Sequence, residues 1–127
     1  MGRILLVDDE RQLVHCLRQA LLLDLPHSVV DTAYSGEEAL SHLAETTYDL
    51  ILADLRMPGF CGLELIKGVR YLDAQVPIVL MTGYGSRELE QQARRVGVNH
   101  YLDKPFEMRD LLALVGQLLP AGATASG

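Results

Sequence analysis

The chain has 127 residues, 49% of them hydrophobic and 22% charged, with a formal net charge of −6. That length supports one well-buried core but not two, and no apolar run approaches the roughly 18 residues that a membrane span needs. An excess of 17 acidic over 11 basic residues argues against holding a polyanion by bulk electrostatics, so neither nucleic-acid binding nor membrane insertion is expected.

Taken in chain order, short apolar runs alternate with helix-period segments, the pattern of βα units wound into a parallel sheet. The first run, Ile4-Leu5-Leu6-Val7, follows Arg3 and ends in acids at Asp8-Asp9. This is not the form of a secretory h-region, so the chain is expected in the cytoplasm. Leu13, Leu17 and Leu21 then recur at helical spacing. Val29 to Ala33 forms the second run, and Ser35-Gly36-Glu37-Glu38 has the spacing of a capping box that opens the second helix. Leu50-Ile51-Leu52-Ala53 and Ile78-Val79-Leu80-Met81 lack polar alternation, as strands covered on both faces should. Leu89, Ala93 and Val96 mark another helix, with Gly97 placed to stop it, and His100-Tyr101-Leu102 is a brief last run. Leu111, Val115 and Leu118 mark the last helix; Leu112 and Leu114 widen its stripe, which suits either a broad core contact or a dimer surface. One domain over 1–119 is expected, with 120–127, rich in small residues, as a flexible tail or linker stub. Cys16 and Cys61 have no metal or redox spacing and are read as free thiols.

In a doubly wound sheet, functional groups gather at the carboxyl ends of the strands, near the point where strand order reverses. Here the first run ends in Asp8-Asp9, the third in Asp54 and the fourth in Thr82, while Lys104-Pro105 follows the fifth. Singly, Asp9 reads as a helix cap, Asp54 as a turn residue and Lys104 as a surface lysine; together they are hard to assign to capping. Clustered carboxylates repel unless protons or a cation intervene, and oxygen-only ligands suit a hard ion such as Mg²⁺. Because Mg²⁺ binds one or two carboxylates and keeps several waters, a third carboxylate is left to act as a nucleophile. Attack of that carboxylate on phosphorus yields an acyl phosphate, with Lys104 and the Thr82 hydroxyl placed to hold the transferring oxygens.

The set Asp8-Asp9, Asp54-Leu-Arg-Met-Pro-Gly, Thr82-Gly83 and Tyr101-Leu-Asp-Lys104-Pro105-Phe106 resembles the receiver domain of two-component response regulators, over about Arg3 to Leu119. The stretch from Asp54 to Leu65 is most similar to receivers of the nitrogen-regulator type. The resemblance implies a flavodoxin-like, five-stranded parallel sheet in the order 2-1-3-4-5, with Asp54 taking a phosphoryl group from a sensor histidine kinase. It implies that Asp9 and Asp54 ligate Mg²⁺ directly, that Asp8 helps through water, and that the Arg56 carbonyl completes the protein ligands. It further implies a Lys104 that pairs with Asp54 at rest and with the phosphoryl group afterwards, and a cis Lys104-Pro105 peptide. Thr82 and Tyr101 would form the switch, Tyr101 turning inward to reshape the face of the fourth helix, fifth strand and fifth helix, where a homodimer or an effector would assemble. Such a domain catalyses only its own phosphorylation and dephosphorylation, and its output domain would lie elsewhere.

Two positions depart from the common pattern: Cys61 stands where an acid is frequent and Gly83 where alanine is frequent. Neither removes a required group. Three other functions share parts of this pattern. A flavodoxin-like electron carrier needs a hydroxyl- and glycine-rich loop where Asp8-Asp9-Glu10 stands. A phosphorylation-independent pseudo-receiver would not need Asp8, Asp9, Asp54, Thr82 and Lys104 together. An aspartate-nucleophile phosphatase carries a second aspartate where Arg56 stands.

Overall fold

The computed structural model describes residues 2–54, 56–57, 60–82 and 87–119, with only the backbone described at 56, 57, 60–62 and 89. The tail at 120–127, together with Leu55, Pro58, Gly59, Gly83 and Tyr84, lies outside the described residues.

Each apolar run becomes a strand: β1 Arg3–Val7, β2 Val29–Ala33, β3 Leu50–Ala53, β4 Ile78–Thr82 and β5 His100–Asp103. They pair in parallel in the order β2-β1-β3-β4-β5. The helices between them are α1 Arg11–Asp24, α2 Gly36–Glu45, α3 Gly62–Leu72, α4 Arg87–Arg95 and α5 Met108–Leu118. Between β3 and α3, Arg56–Met57 pairs antiparallel with Phe60–Cys61, a two-residue ladder that the sequence pattern does not announce.

The unbroken apolar character of the strands follows from cover on both faces. Leu5, Val7, Ile51 and Leu80 pack with Leu65 and Ile66 of α3 and Ala39 of α2. Ile4, Leu6, Leu52 and Met81 point the other way and pack with Val14, Leu17 and Leu21 of α1 and Leu111 and Val115 of α5. Successive strand side chains alternate between the two layers, as the pleat requires. Each fully buried Leu or Ile contributes about 1.5–3 kcal/mol relative to an exposed position. Leu112 and Leu114 are half-buried against the α1/α5 layer, so part of the wide stripe on α5 serves the core. The exposed large apolar side chains among the described residues are Leu23, Tyr71 and Leu72.

Helix ends are set locally. Ser35 caps α2 by accepting from the Glu38 amide at 3.1 Å, while the Glu38 carboxylate accepts from the Tyr34 amide at 3.3 Å, one residue earlier than in a reciprocal capping box. At the end of α4, Val98 donates to the Ala93 carbonyl at 3.0 Å and Gly97 to that of Arg94 at 3.2 Å, a Schellman closure with Gly97 at φ 119°. A Cβ at Gly97 would lie 2.6 Å from Arg70 Nε. Gly97→Ala is therefore expected to lower stability by about 1–2 kcal/mol, from left-handed backbone strain alone, and more if Arg70 has to move; urea unfolding measures it.

Arg70 is what holds that corner. From the end of α3 it donates to the Gly97 carbonyl at 2.7 Å, the Val76 carbonyl at 2.7 Å and Asn99 Oδ1 at 2.9 Å. Asn99 Oδ1 in turn accepts from the Ile78 amide at 2.8 Å. One guanidinium thus ties α3, the entry to β4 and the α4–β5 turn. Burial of the group lowers its pKa, opposed by the nearby charge of Asp73.

Candidate functional site

The ladder registers bring the polar residues to one edge of the sheet. Val7 is level with both Ala33 and Ala53, so Asp8 and Asp54 emerge side by side from β1 and β3. Their amides extend the ladders, Asp8 to the Ala33 carbonyl at 3.1 Å and Asp54 to the Val7 carbonyl at 2.9 Å. Thr82, level with Asp103, ends β4, and its carbonyl accepts from the Lys104 amide at 2.8 Å. Because β1 has β2 on one side and β3 on the other, this edge contains the point where strand order reverses.

Asp8 and Thr82 are fully buried and Asp54 is nearly so. The Lys104 ammonium reaches Asp8 Oδ2 at 2.8 Å, Asp54 Oδ2 at 3.1 Å and Glu10 Oε1 at 3.1 Å. Burial is the largest single influence on this lysine and works to lower its pKa. Hydrogen bonds to Asp8 and Asp54, with their charges, together outweigh it, and the net shift is upward. A folded-state pKa above the unfolded one stabilises the fold below the unfolded value and loses that contribution as pH rises through the folded one. Tyr48 behaves alike: burial first, then its hydrogen bond to Asp31, raises the phenol above its usual 10.0. The Lys104 and Tyr48 contributions are therefore expected to stay constant from neutrality to about pH 10 and to decline above it; denaturant midpoints against pH test this, and a decline already complete by pH 9 would contradict it.

The carboxylate oxygens of Asp8, Glu10 and Asp54 lie within 4.8 Å of one another. Such an oxygen-only set suits a hard divalent cation, and the ammonium of Lys104 stands among the same carboxylates. Asp9, by contrast, is exposed and outside this group, because the chain turns as it leaves β1 and points successive side chains in different directions. The Arg56 side chain is outside the described residues, as are Gly83 and Tyr84; the Lys104-Pro105 peptide is cis. Tyr101 is half-buried against the α2/α3 layer, and its hydroxyl is withdrawn from solvent with no hydrogen-bond partner among the described residues. Burial raises its pKa, with Asp103 and Glu90 adding to the effect.

Glu10 is a site residue that the pattern of strand-end groups does not single out. Its signal was present, a third acid directly after Asp8-Asp9, but an acid ahead of a helix is ordinarily read as a cap.

Residues 4–116 match the family described as the response regulator receiver domain. The chain belongs to that family. Among curated relatives, this receiver is 40% identical over 116 residues to the response regulator protein FleR of Pseudomonas aeruginosa, covering 91% of the chain and 24% of FleR. It is 35% identical over 123 residues to the uncharacterized transcriptional regulatory protein YkoG of Bacillus subtilis, covering 97% of the chain and 53% of YkoG. The receiver thus spans about half or less of the length of the curated relatives it matches. Among solved structures, the Vibrio cholerae chemotaxis protein CheY4 superposes with a TM-score of 0.85 at 31% identity, over 94% of this chain and 99% of that one. The Thermotoga maritima response regulator TrrA, solved in complex with Mg²⁺ and BeF, superposes at 0.81 with 34% identity, over 94% and 100% of the two chains. Receivers are signalling modules, and the acidic pocket lies where such a module's phosphoacceptor chemistry needs it. Among the described residues, no helix is long and apolar enough to cross a membrane.

Proposed function

We propose that this receiver acts in the cytoplasm and that its Asp54 is phosphorylated by a sensor histidine kinase in the presence of Mg²⁺. The observation that carries the reading is the contact of one ammonium, Lys104, with two buried carboxylates from different strands, Asp8 and Asp54. Two like charges held this close are costly unless a cation is part of the design, and a cation between them serves an incoming phosphoryl group equally well.

The reaction is a displacement at phosphorus. An Asp54 carboxylate oxygen forms the new P–O bond as the N–P bond of the phosphohistidine breaks, its electron pair returning to the imidazole. Asp9 and Asp54 would hold the Mg²⁺ directly, with Asp8 acting through water and the Arg56 carbonyl completing the protein ligands; when bound, the ion would neutralise charge developing on the phosphoryl oxygens. Lys104 donates to those oxygens from the other side, and the Thr82 hydroxyl moves to them. Tyr101, packed against the core layer that includes Ala93 of α4, then transmits the change to the face of α4, β5 and α5. A homodimer or a partner domain reads that face, and affinity of the Asp54–Leu65 stretch with nitrogen-regulator receivers points to the branch. No turnover of an outside substrate is expected.

The test is intact-protein mass spectrometry. With Mg²⁺ and a small phosphodonor, the wild type is expected to gain one phosphoryl group, located by fragmentation at Asp54, and none when the metal is chelated. A label on another residue, or equal labelling without metal, would count against the reading.

A further inference from the structure

We propose that Glu10 is a positioning residue that holds Lys104 at rest and is the arm that lets go when the phosphoryl group arrives. The inference rests on the reading of Asp54 as phosphoacceptor and adds a residue that sets how readily the site accepts it.

Glu10 is the N-cap of α1, with extended backbone at φ −82° and ψ 94°, and its carbonyl accepts from the Val14 amide at 3.0 Å. At that position a side-chain oxygen ordinarily accepts from an amide of the first turn. Glu10 makes no such cap bond; its carboxylate lies 3.1 Å from Lys104 Nζ instead, across 94 residues of sequence. Its amide meanwhile donates to Asp8 Oδ1 at 3.0 Å, so one residue orients both Asp8 and Lys104.

An ammonium has three N–H donors, and here three carboxylates face it. The Asp54 contact passes to a phosphoryl oxygen once Asp54 carries the group, and for Lys104 to reach out and follow that oxygen one of its other two partners has to yield. The Asp8 side chain is 1% exposed and has no water to turn to, whereas that of Glu10 is 63% exposed and is solvated as soon as it swings out. Releasing Glu10 is therefore the least costly route, and its hold on Lys104 opposes phosphoryl binding by the modest amount an exposed ion pair supplies.

Glu10→Gln and Glu10→Asp separate the contact from the charge, since aspartate keeps the charge on an arm one methylene shorter. At saturating Mg²⁺, both variants are expected to bind beryllofluoride, the phosphoryl mimic, about two- to fivefold more tightly than wild type. The KM for a small phosphodonor should fall by a similar factor, with Mg²⁺ saturation established separately for each variant, a shift that a purely structural role would not produce. Wild-type affinity in both variants would overturn the proposal, as would weaker binding in Glu10→Gln. A gain confined to Glu10→Gln would show that charge at the mouth, not the contact, is at work, which also overturns it. If the wild type neither binds beryllofluoride nor takes up a phosphoryl group, the Asp54 reading itself fails and this inference falls with it.

Discussion

Asp54→Asn is expected to abolish phosphoryl uptake completely, with the fold intact. The amide has the same shape, and its oxygen still accepts from Lys104, which keeps Asp8 and Glu10 as charged partners. Stability should change by no more than about 1 kcal/mol, the scale of one hydrogen bond altered without loss of its partner. What disappears is the nucleophile: an amide oxygen does not form a stable acyl phosphate, and neither Asp8 nor Glu10 replaces it. Asp8 is fully buried, with one oxygen on the Glu10 amide and the other on Lys104. Glu10 belongs to the cap of α1 rather than to a strand end. Intact mass after incubation with Mg²⁺ and a small phosphodonor decides the matter, and labelling of the variant at the wild-type level would remove Asp54 from its role.

The second large effect is expected from Lys104→Ala, and its size should depend on metal. Removing this ammonium takes the shared cation away from two buried carboxylates drawn together by the β1–β3 register. Breaking a buried pair in this way costs about 3–5 kcal/mol; with the Lys104 side chain 16% exposed and an exposed Glu10 alongside, the low end, about 3 kcal/mol, applies. Millimolar Mg²⁺ should recover much of that loss, because the ion takes over the neutralising role among the same oxygens. Denaturant unfolding of wild type and variant, each with chelator and with Mg²⁺, measures the difference. A loss of equal size under both conditions would mean that lysine and metal do not share one set of carboxylates.

Much of the fold is legible along the chain because its determinants are local or periodic. Runs such as Ile4–Val7 and Leu50–Ala53 are apolar throughout because helices cover both faces, and that is visible without coordinates. Ser35 and Gly97 act within a few residues of themselves, one as a cap and one through a positive φ. Val14 is buried beside the predicted stripe of Leu17 and Leu21, a shift of one residue within the same helical face.

The sequence alone therefore settled the fold class and brought Asp8, Asp54, Thr82 and Lys104 forward as strand-end groups, since alternation and strand ends are properties of neighbouring residues. Only the tertiary structure decided which acid meets Lys104, Glu10 rather than the exposed Asp9. It alone showed Arg70 clasping Gly97 and Asn99 across 27 and 29 residues, and the Tyr101 hydroxyl withdrawn from solvent. The physical reason is the same in each case: such contacts depend on strand order, ladder register and the direction in which the chain leaves a strand. Those are fixed by packing the whole sheet, and no local pattern encodes them.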